Sequence, residues 1–240
     1  MRYRAVFFDA GETLVHPYPS FPELFASVLR AEGHDVDPAA LVESLVVVFE
    51  RFARAAQEGE RWTSTPERSR GFWLSVYRGL LERLGLAPTD GLAERLYHEF
   101  TQLSNYRLFP DVLPVLEALR DRGVILGLVS NFEAWLAELL DRLAVAELFD
   151  VCVISGIEGV EKPDPAIFRM ALHRAGVAPS EAVYVGDNPA FDTEPAESIG
   201  MLGVLLDRRE RFPEHPGLRI TAMADLPTAI GLGAPADARP

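Results

Sequence analysis

The apolar positions of this sequence follow two different rhythms along the chain. A short run from Arg4 to Phe8 (RAVFF) has no polar alternation, which is typical of a strand covered on both faces of a parallel sheet. From Phe21 to about Gln102 the apolar residues recur at helical spacing, in segments that begin at Ser, Pro or Asp. The predicted helices are residues 22–33, 38–59, 66–85 and 90–103. No convincing strand pattern interrupts this block.

Beyond Pro110 helical and strand-like patterns alternate. Helices are predicted at 112–123, 132–144, 163–176 and 190–200, and strands at 124–130, 150–155, 182–187 and 202–207. This alternation is the signature of βαβ units, in which a parallel sheet carries helices on both faces. We therefore predict an α/β fold with a Rossmann-like core of residues 1–15 and 106–240, interrupted by an α-helical domain of residues 16–105. The Ala- and Pro-rich tail GAPADARP is predicted to fray.

Composition and charge narrow the class of protein. The 240 residues exceed most single compact domains and fall short of two, and 48% of them are hydrophobic, which fits a globular chain with an insertion. A net charge of -13 argues against nucleic acid as a partner, because an acidic surface repels a polyanion. The N-terminal apolar run is too short for a signal peptide, and no run reaches the roughly eighteen residues of a membrane span. We expect a soluble, cytoplasmic protein without a membrane partner.

Two residue counts single out individual positions. The one cysteine, Cys152, excludes an internal disulfide and a cysteine-based zinc cluster, and its setting in DVCVIS predicts a thiol buried in a strand. Lys162 is the one lysine among 23 basic residues, the others being arginine. It therefore marks a place that needs a compact ammonium and does not fit a planar guanidinium, unless it is a chance lysine on a solvated loop.

Polar residues stand where three of the predicted strands end. Asp9 ends the first strand, Ser130-Asn131 the second and Gly186-Asp187 the fourth. In a parallel sheet, ligands collect at the carboxyl ends of the strands, where loops and helix N-termini meet. We expect these three strand ends to converge on one crevice.

The segments around these residues are similar to those of a known family. They read FFDAGETLV, FPDVLPVLEALRDRG, LVSN, EKPDPAIF and YVGDNPAFD, in that order. The chain resembles the haloacid dehalogenase-like (HAD) hydrolase superfamily, subfamily I, over nearly its whole length. The resemblance implies a Rossmann-like core with an inserted helical cap of the C1 type. It also implies a phosphoric monoester hydrolase that uses Mg²⁺ and acts on a small phosphorylated metabolite.

The resemblance implies that Asp9 attacks phosphorus and forms an aspartyl-phosphate. A carboxylate is a poor nucleophile in water, so it must be aimed in line at a phosphoryl group whose oxygens a cation neutralises. By the same resemblance, the carboxylates of Asp9 and Asp187 and the backbone carbonyl of Gly11 would hold Mg²⁺. Asp192 would orient Lys162 or a metal-bound water, although an acid in the first turn of a helix is an alternative interpretation.

Three further residues are implied to bind the substrate. The Ser130 hydroxyl would hold phosphoryl oxygens together with nearby backbone N–H groups, Asn131 would contact the substrate, and Lys162 would add a point charge beside the reacting group. Ser130 and Lys162 would thereby also be catalytic. Ser130 and Asn131 could instead cap the helix that follows them, which does not exclude a phosphate contact at that helix N-terminus.

The first motif departs from the family pattern at two positions. Many phosphatases of the family read D-x-D-G-T, where the second Asp is the general acid and base, whereas this chain has Gly11 there. General acid–base catalysis is typically worth about 10²- to 10⁴-fold, so poor leaving groups should depart slowly. Glu12 stands where the family usually has glycine. It could reach the leaving group, but a solvated glutamate is the favoured interpretation.

Other functions are also compatible with these residues. A 2-haloacid dehalogenase would also lack the second Asp, but such enzymes replace the acidic residue at Asp187, because a carboxylate without a metal would repel the halide. A phosphonatase needs an amine from the cap, which has no lysine. A binding or regulatory protein with weak catalysis is the remaining alternative. The physiological substrate and the choice between monomer and homodimer are not predicted.

Overall fold

A computed structural model describes residues 2–233 of the chain. Apart from Gly233, the tail predicted to fray (residues 233–240) lies outside the described residues. The structure divides into two compact units. One is His16–Arg107, and the other is formed by the residues before and after it. In the part of the chain that the structure describes, no helix is long and apolar enough to cross a membrane.

The eight described strands form two sheets. They are β1 (Ala5–Phe8), β2 (Val15–Pro17), β3 (Tyr106–Leu108), β4 (Ile125–Ser130), β5 (Val151–Ile154), β6 (Ala182–Gly186), β7 (Leu202–Leu206) and β8 (Leu218–Ile220). β2 and β3 form a two-stranded sheet, and the other six form a parallel sheet in the order β5-β4-β1-β6-β7-β8. The α/β fold with a parallel sheet is confirmed. The sequence pattern does not predict β2, β3 and β8, because three residues are too few to show strand periodicity.

The unit His16–Arg107 contains helices throughout its middle. They are α1 (Phe21–Ala31), α2 (Pro38–Ser44), α3 (Val46–Glu58), α4 (Pro66–Arg83) and α5 (Asp90–Phe100). The predicted helix 38–59 is therefore two helices, which meet at Leu45. The Leu45 N–H donates to the carbonyl of Val42, three residues back, which tightens the chain into a turn. Trp62, Phe72 and Tyr77 are buried in this unit, where Trp62 stacks on Phe72 with ring centroids 5.0 Å apart.

The helices of the other unit alternate with its strands. They are α6 (Val112–Arg120), α7 (Leu136–Arg142), α8 (Ser155–Glu158), α9 (Pro165–Ala175), α10 (Glu194–Ser198) and α11 (Leu226–Ala229). α9 begins where the Asp164 side chain accepts the N–H of Ala166 and ends at Gly176, in the left-handed conformation that favours glycine. The predicted helix 190–200 begins as a π-helical turn, Pro189–Thr193, before α10.

β1 lies at the centre of the six-stranded sheet. Ala5 pairs with Ile125 of β4 on one side and with Ala182 of β6 on the other, and all four residues of β1 are buried. Phe7 contributes to an apolar cluster with residues of α9 and of the neighbouring strands. The uninterrupted apolar run at the N-terminus thus becomes the central strand, which fixes the position of the residue that follows it, Asp9.

The prediction that Cys152 is a buried thiol is wrong, because its side chain is exposed. β5 is one of the two outer strands of the sheet, and successive residues of a strand face opposite sides. Val151 and Val153 pack against the cluster around α9, so Cys152 between them faces away from that cluster. An apolar run predicts a strand but does not tell an outer strand from a central one.

Candidate active site

Adjacent strands bring the three predicted strand ends together. β4, β1 and β6 are neighbours in the sheet, so Ser130, Asp9 and Asp187 follow one another across its carboxyl edge. The Ser130 hydroxyl donates to Oδ1 of Asp9 at 2.9 Å. The Asp9 N–H donates to the carbonyl of Val185 at 2.9 Å, which continues the pairing of β1 with β6 by one residue. Asp9 is therefore fixed by its backbone and by its side chain.

One oxygen of the Asp9 carboxylate receives both of its donors. Oδ1 accepts from Ser130 and from the ammonium of Lys162, whose Nζ lies 2.7 Å away. Among the described residues no hydrogen bond is made to Oδ2. The carboxylate is thus oriented through one oxygen, and the other is available for a reaction.

Lys162 is buried among three acceptors. Its Nζ lies 2.7 Å from Oδ1 of Asp9, 2.5 Å from Oδ1 of Asp192 and 3.0 Å from the hydroxyl oxygen of Tyr184, and its side chain is 3% exposed. An ammonium has three N–H donors, so the protein engages all of them. Burial by itself would lower the pKa of Lys162, but the charges of Asp192 and Asp9 hold that pKa well above its usual value. Lys162 is therefore a permanent counter-charge to two carboxylates.

Tyr184 belongs to this group and was not singled out from the sequence. Its hydroxyl donates to the carbonyl of Val129 at 2.7 Å and accepts from Lys162. Burial raises the pKa of Tyr184 well above its usual value, so it stays a neutral phenol. A signal was present in the sequence, because a tyrosine inside the buried strand AVYVG needs a partner for its hydroxyl.

Asn131 contacts the backbone of Lys162 through both ends of its amide. Its Nδ2 donates to the carbonyl of Lys162 at 2.8 Å, and the N–H of Lys162 donates to its Oδ1 at 2.6 Å. The amide is therefore used to hold the loop that carries the ammonium. The alternative that Ser130 and Asn131 cap the next helix is wrong, because α7 begins only at Leu136.

Three carboxylates form an oxygen-rich cluster. Asp9, Asp187 and Asp192 each offer an oxygen, and these oxygens lie within 4.8 Å of one another. Asp192 accepts from Lys162 through Oδ1 and from the N–H of Asn188 through Oδ2. It is thus buried beside the ammonium and is more than an acid in the first turn of a helix. A Cβ on Gly186 would lie 2.3 Å from Cγ of Asp192, so only glycine fits at the end of β6.

Asp187 has a raised pKa, although it is paired with an arginine. Its Oδ2 accepts from Nη2 of Arg211 at 2.8 Å. Burial, together with the negative charges of Asp192 and Asp9, nonetheless raises the pKa of Asp187 to about 7. Asp187 therefore loses its proton reluctantly unless a further positive charge is near.

The residues of the cluster fit a hard divalent cation. All three side chains offer carboxylate oxygens, which Mg²⁺ prefers to nitrogen or sulfur. Fully ionised, they carry three negative charges against the two positive charges of Lys162 and Arg211. A divalent cation would remove this excess. Asp9 and Asp187 are better placed as ligands than Asp192, because both oxygens of Asp192 already accept hydrogen bonds.

Gly11 lies beside an aromatic side chain. A Cβ at this position would lie 3.9 Å from Cε2 of Phe132, an ordinary van der Waals contact. The Phe132 ring meets Trp135 edge-on, with centroids 4.7 Å apart. Many phosphatases of the family have their second Asp at the position of Gly11. In this chain a side chain at that position would lie next to the Phe132 ring.

Glu12 is paired with Arg209. Its Oε2 lies 2.8 Å from Nη2 of Arg209, and both side chains are about one-third or more exposed. Its φ of 57° is in the left-handed region, which explains why glycine suits this position. The carboxylate is thus held by a partner at the surface.

The chain belongs to the haloacid dehalogenase-like hydrolases, because the family model with that description matches residues 3–200. The resemblance read from the sequence motifs is confirmed. The phosphatase names among its relatives support a hydrolase that acts on phosphate esters.

Several relatives have particular phosphatase activities in their names. The chain is 42% identical over 214 residues to glyceraldehyde 3-phosphate phosphatase of Methanopyrus kandleri, which covers 85% of this chain and 84% of that protein. It is 38% identical over 176 residues to phosphoserine phosphatase of Thermus thermophilus. This match covers 72% of this chain and 67% of that protein. The HAD-hydrolase YfnB of Bacillus subtilis, whose structure has bound magnesium, shares the fold at 16% identity. Its TM-score is 0.77, and the match covers 96% of this chain and all of that one.

Proposed function

We propose that this protein is a Mg²⁺-dependent phosphatase that hydrolyses a small phosphorylated metabolite through an aspartyl-phosphate on Asp9. The observation that carries the proposal is the contact pattern of Asp9. Its Oδ1 is held by Ser130 and Lys162, while Asp187 and Asp192 offer further oxygens within 4.8 Å. The phosphoryl group is itself negatively charged, so the carboxylates would repel it. A cation bound between the carboxylates and the phosphoryl oxygens would remove this repulsion and let Asp9 attack.

In the first step, a carboxylate oxygen of Asp9 forms a bond to phosphorus as the bond from phosphorus to the ester oxygen breaks. The leaving group departs with the electron pair of that bond. Ser130 and Lys162 keep the carboxylate aimed in line, because both donate to Oδ1. When bound by Asp9, Asp187 and the Gly11 carbonyl, Mg²⁺ would supply positive charge to the phosphoryl oxygens.

In the second step, water attacks the phosphorus of the aspartyl-phosphate. The bond from phosphorus to Asp9 breaks, inorganic phosphate leaves, and the carboxylate is regenerated. Gly11 offers no proton to the first leaving group, and Glu12 is paired with Arg209. The leaving group must therefore take its proton from solvent, which makes the rate sensitive to its basicity.

A substrate screen tests this proposal. Phosphorylated metabolites, with glyceraldehyde 3-phosphate and phosphoserine among them, are incubated with the protein in Mg²⁺ and in EDTA, and 2-chloropropionate is included. We expect phosphate release in Mg²⁺, none in EDTA, and no chloride release. Chloride release that survives EDTA would indicate a dehalogenase. Stoichiometric binding of a metabolite without turnover would indicate a binding protein.

The missing acid at Gly11 leads to a prediction about leaving groups. Because a Cβ fits beside Phe132, Gly11→Asp should fold and should place a carboxyl group near the leaving oxygen. We expect turnover of alkyl phosphates to rise about 10²-fold relative to turnover of aryl phosphates, which is the low end of what general acid catalysis typically contributes. The ratio of the two kcat values is the measurement.

Gly11→Asn is the matched control for this prediction. It adds the same volume beside Phe132 but has no acidic proton to transfer to the leaving group. The Asn variant should leave the ratio unchanged. If the ratio is unchanged in the Asp variant too, the missing acid does not limit the rate.

A further inference from the structure

The short segment after β7 forms ion pairs with acidic residues in and around the site. This arginine segment, residues 207–212, contains three arginines that each pair with an acid from another part of the fold. Arg208 makes two bonds of 2.9 Å to Asp111, and Arg209 pairs with Glu12. The third, Arg211, is the one that reaches the carboxylate cluster.

Arg211 contacts Asp187 at two points. Its Nη2 lies 2.8 Å from Oδ2 and 3.2 Å from the backbone oxygen of Asp187. Lys162 uses its three donors on Asp9, Asp192 and Tyr184. Arg211 is therefore the direct counter-charge of Asp187 among the described residues.

The position of Arg211 is set by a buried aspartate. Asp207 accepts the N–H of Arg211 and the N–H of Phe212, each at 2.8 Å, and the Nε of Arg219 at 2.9 Å. Its own N–H donates to the carbonyl of Ile220 at 2.8 Å. Asp207 is fully buried, so the turn that aims Arg211 is anchored to β8. The contact with Asp187 thus starts from a fixed backbone.

We propose that Arg211 competes with the divalent cation for Asp187 and so sets the cation affinity of this site. A cation that binds an oxygen of Asp187 would share this carboxylate with the guanidinium of Arg211. Two positive charges bound to one carboxylate are close enough to repel each other. This repulsion weakens the bond from Nη2 of Arg211 to Oδ2 of Asp187. The affinity for Mg²⁺ is therefore lower than the carboxylates alone would give.

This inference rests on the proposed use of Mg²⁺, and titration calorimetry of the full chain with MgCl₂ tests both. Arg211→Gln removes the charge and keeps a polar side chain. Arg209→Gln removes one charge from the same segment, at a residue that pairs with Glu12 and does not contact Asp187. Arg211→Lys keeps the charge on a different donor. We expect the Kd for Mg²⁺ to fall about tenfold in Arg211→Gln and to stay within about twofold in the other two variants.

Thermal unfolding gives a second readout that does not depend on activity. The rise in Tm on adding saturating MgCl₂ should be larger in Arg211→Gln than in the wild type, because a cation that binds the folded state more tightly stabilises it more. If Arg211→Gln is unfolded in EDTA, recovery of a cooperative transition in MgCl₂ supports the proposal, and no recovery overturns it.

The outcomes separate this inference from the proposed function. No binding of Mg²⁺ by the wild type would remove the proposed cofactor. Binding by the wild type with an unchanged or higher Kd in Arg211→Gln would overturn the competition and leave the cofactor in place. An equal fall of Kd in Arg209→Gln would overturn it as well, because the effect would then come from net charge alone.

Discussion

Asp9→Asn is expected to abolish phosphate release. The amide keeps the size of the side chain and an oxygen that can accept from Ser130 and Lys162, but it has no charged oxygen to attack phosphorus. Loss of a covalent nucleophile typically costs several powers of ten, so we expect kcat to fall at least about 10⁴-fold. Phosphate release at saturating substrate and Mg²⁺ is the measurement.

Ser130→Ala is the matched control for the role of Asp9. It removes one of the two donors to Oδ1 and leaves the carboxylate and Lys162 in place. A smaller loss of kcat, of about 10²-fold, is expected for an orienting hydrogen bond.

Acid quenching of the wild-type protein during turnover tests the covalent intermediate directly. The quenched protein should carry a phosphoryl group on the peptide that contains Asp9. Hydrolysis retained in Asp9→Asn would rule out the covalent mechanism.

Lys162→Met is expected to cost both stability and activity. Methionine has a similar length but no charge, so Asp9 and Asp192 would lose the ammonium that lies between them. Removing one partner of a buried ion pair typically lowers the free energy of unfolding by about 3–5 kcal/mol. Turnover should also fall at least about 10³-fold, because Asp9 loses the charged one of the two donors that orient it. Urea unfolding and kcat are measured on the same preparation.

Lys162→Arg separates the charge of this residue from its shape. Three acceptors surround the ammonium at 2.5–3.0 Å in a buried place, and the planar guanidinium cannot meet them in the same geometry. We expect this variant to be more stable than Lys162→Met but still impaired in turnover. Wild-type kcat in Lys162→Arg would show that any positive charge suffices there.

Much of the core fold could be predicted because the signals are local. The apolar run before Asp9 becomes the buried central strand β1, and the alternation of helix and strand patterns predicts the parallel sheet. The polar ends of β1, β4 and β6 point to one edge, because parallel strands share their carboxyl ends. Lys162 could also be identified from the sequence, because it is the one lysine of the chain.

Individual contacts could not be predicted in the same way. Glu12 could be interpreted as a possible acid or as a solvated side chain, and its pairing with Arg209 joins residues that are 197 positions apart. Asn131 could be interpreted as a substrate ligand, but its amide holds the backbone of Lys162. Such contacts depend on where loops turn, and no periodic pattern records a loop conformation.

The amino-acid pattern alone is enough to predict the parallel sheet, the helical block inserted after its first strand, and the set of acids at the strand ends. Periodicity and residue chemistry suffice for these, because burial of an apolar face is decided within a few residues of chain. The pairing of charges, by contrast, becomes visible only when the chain is folded. Asp187 meets Arg211, and the ammonium of Lys162 joins Asp9, Asp192 and Tyr184, because a buried charge must find its partners in space, wherever they lie along the chain.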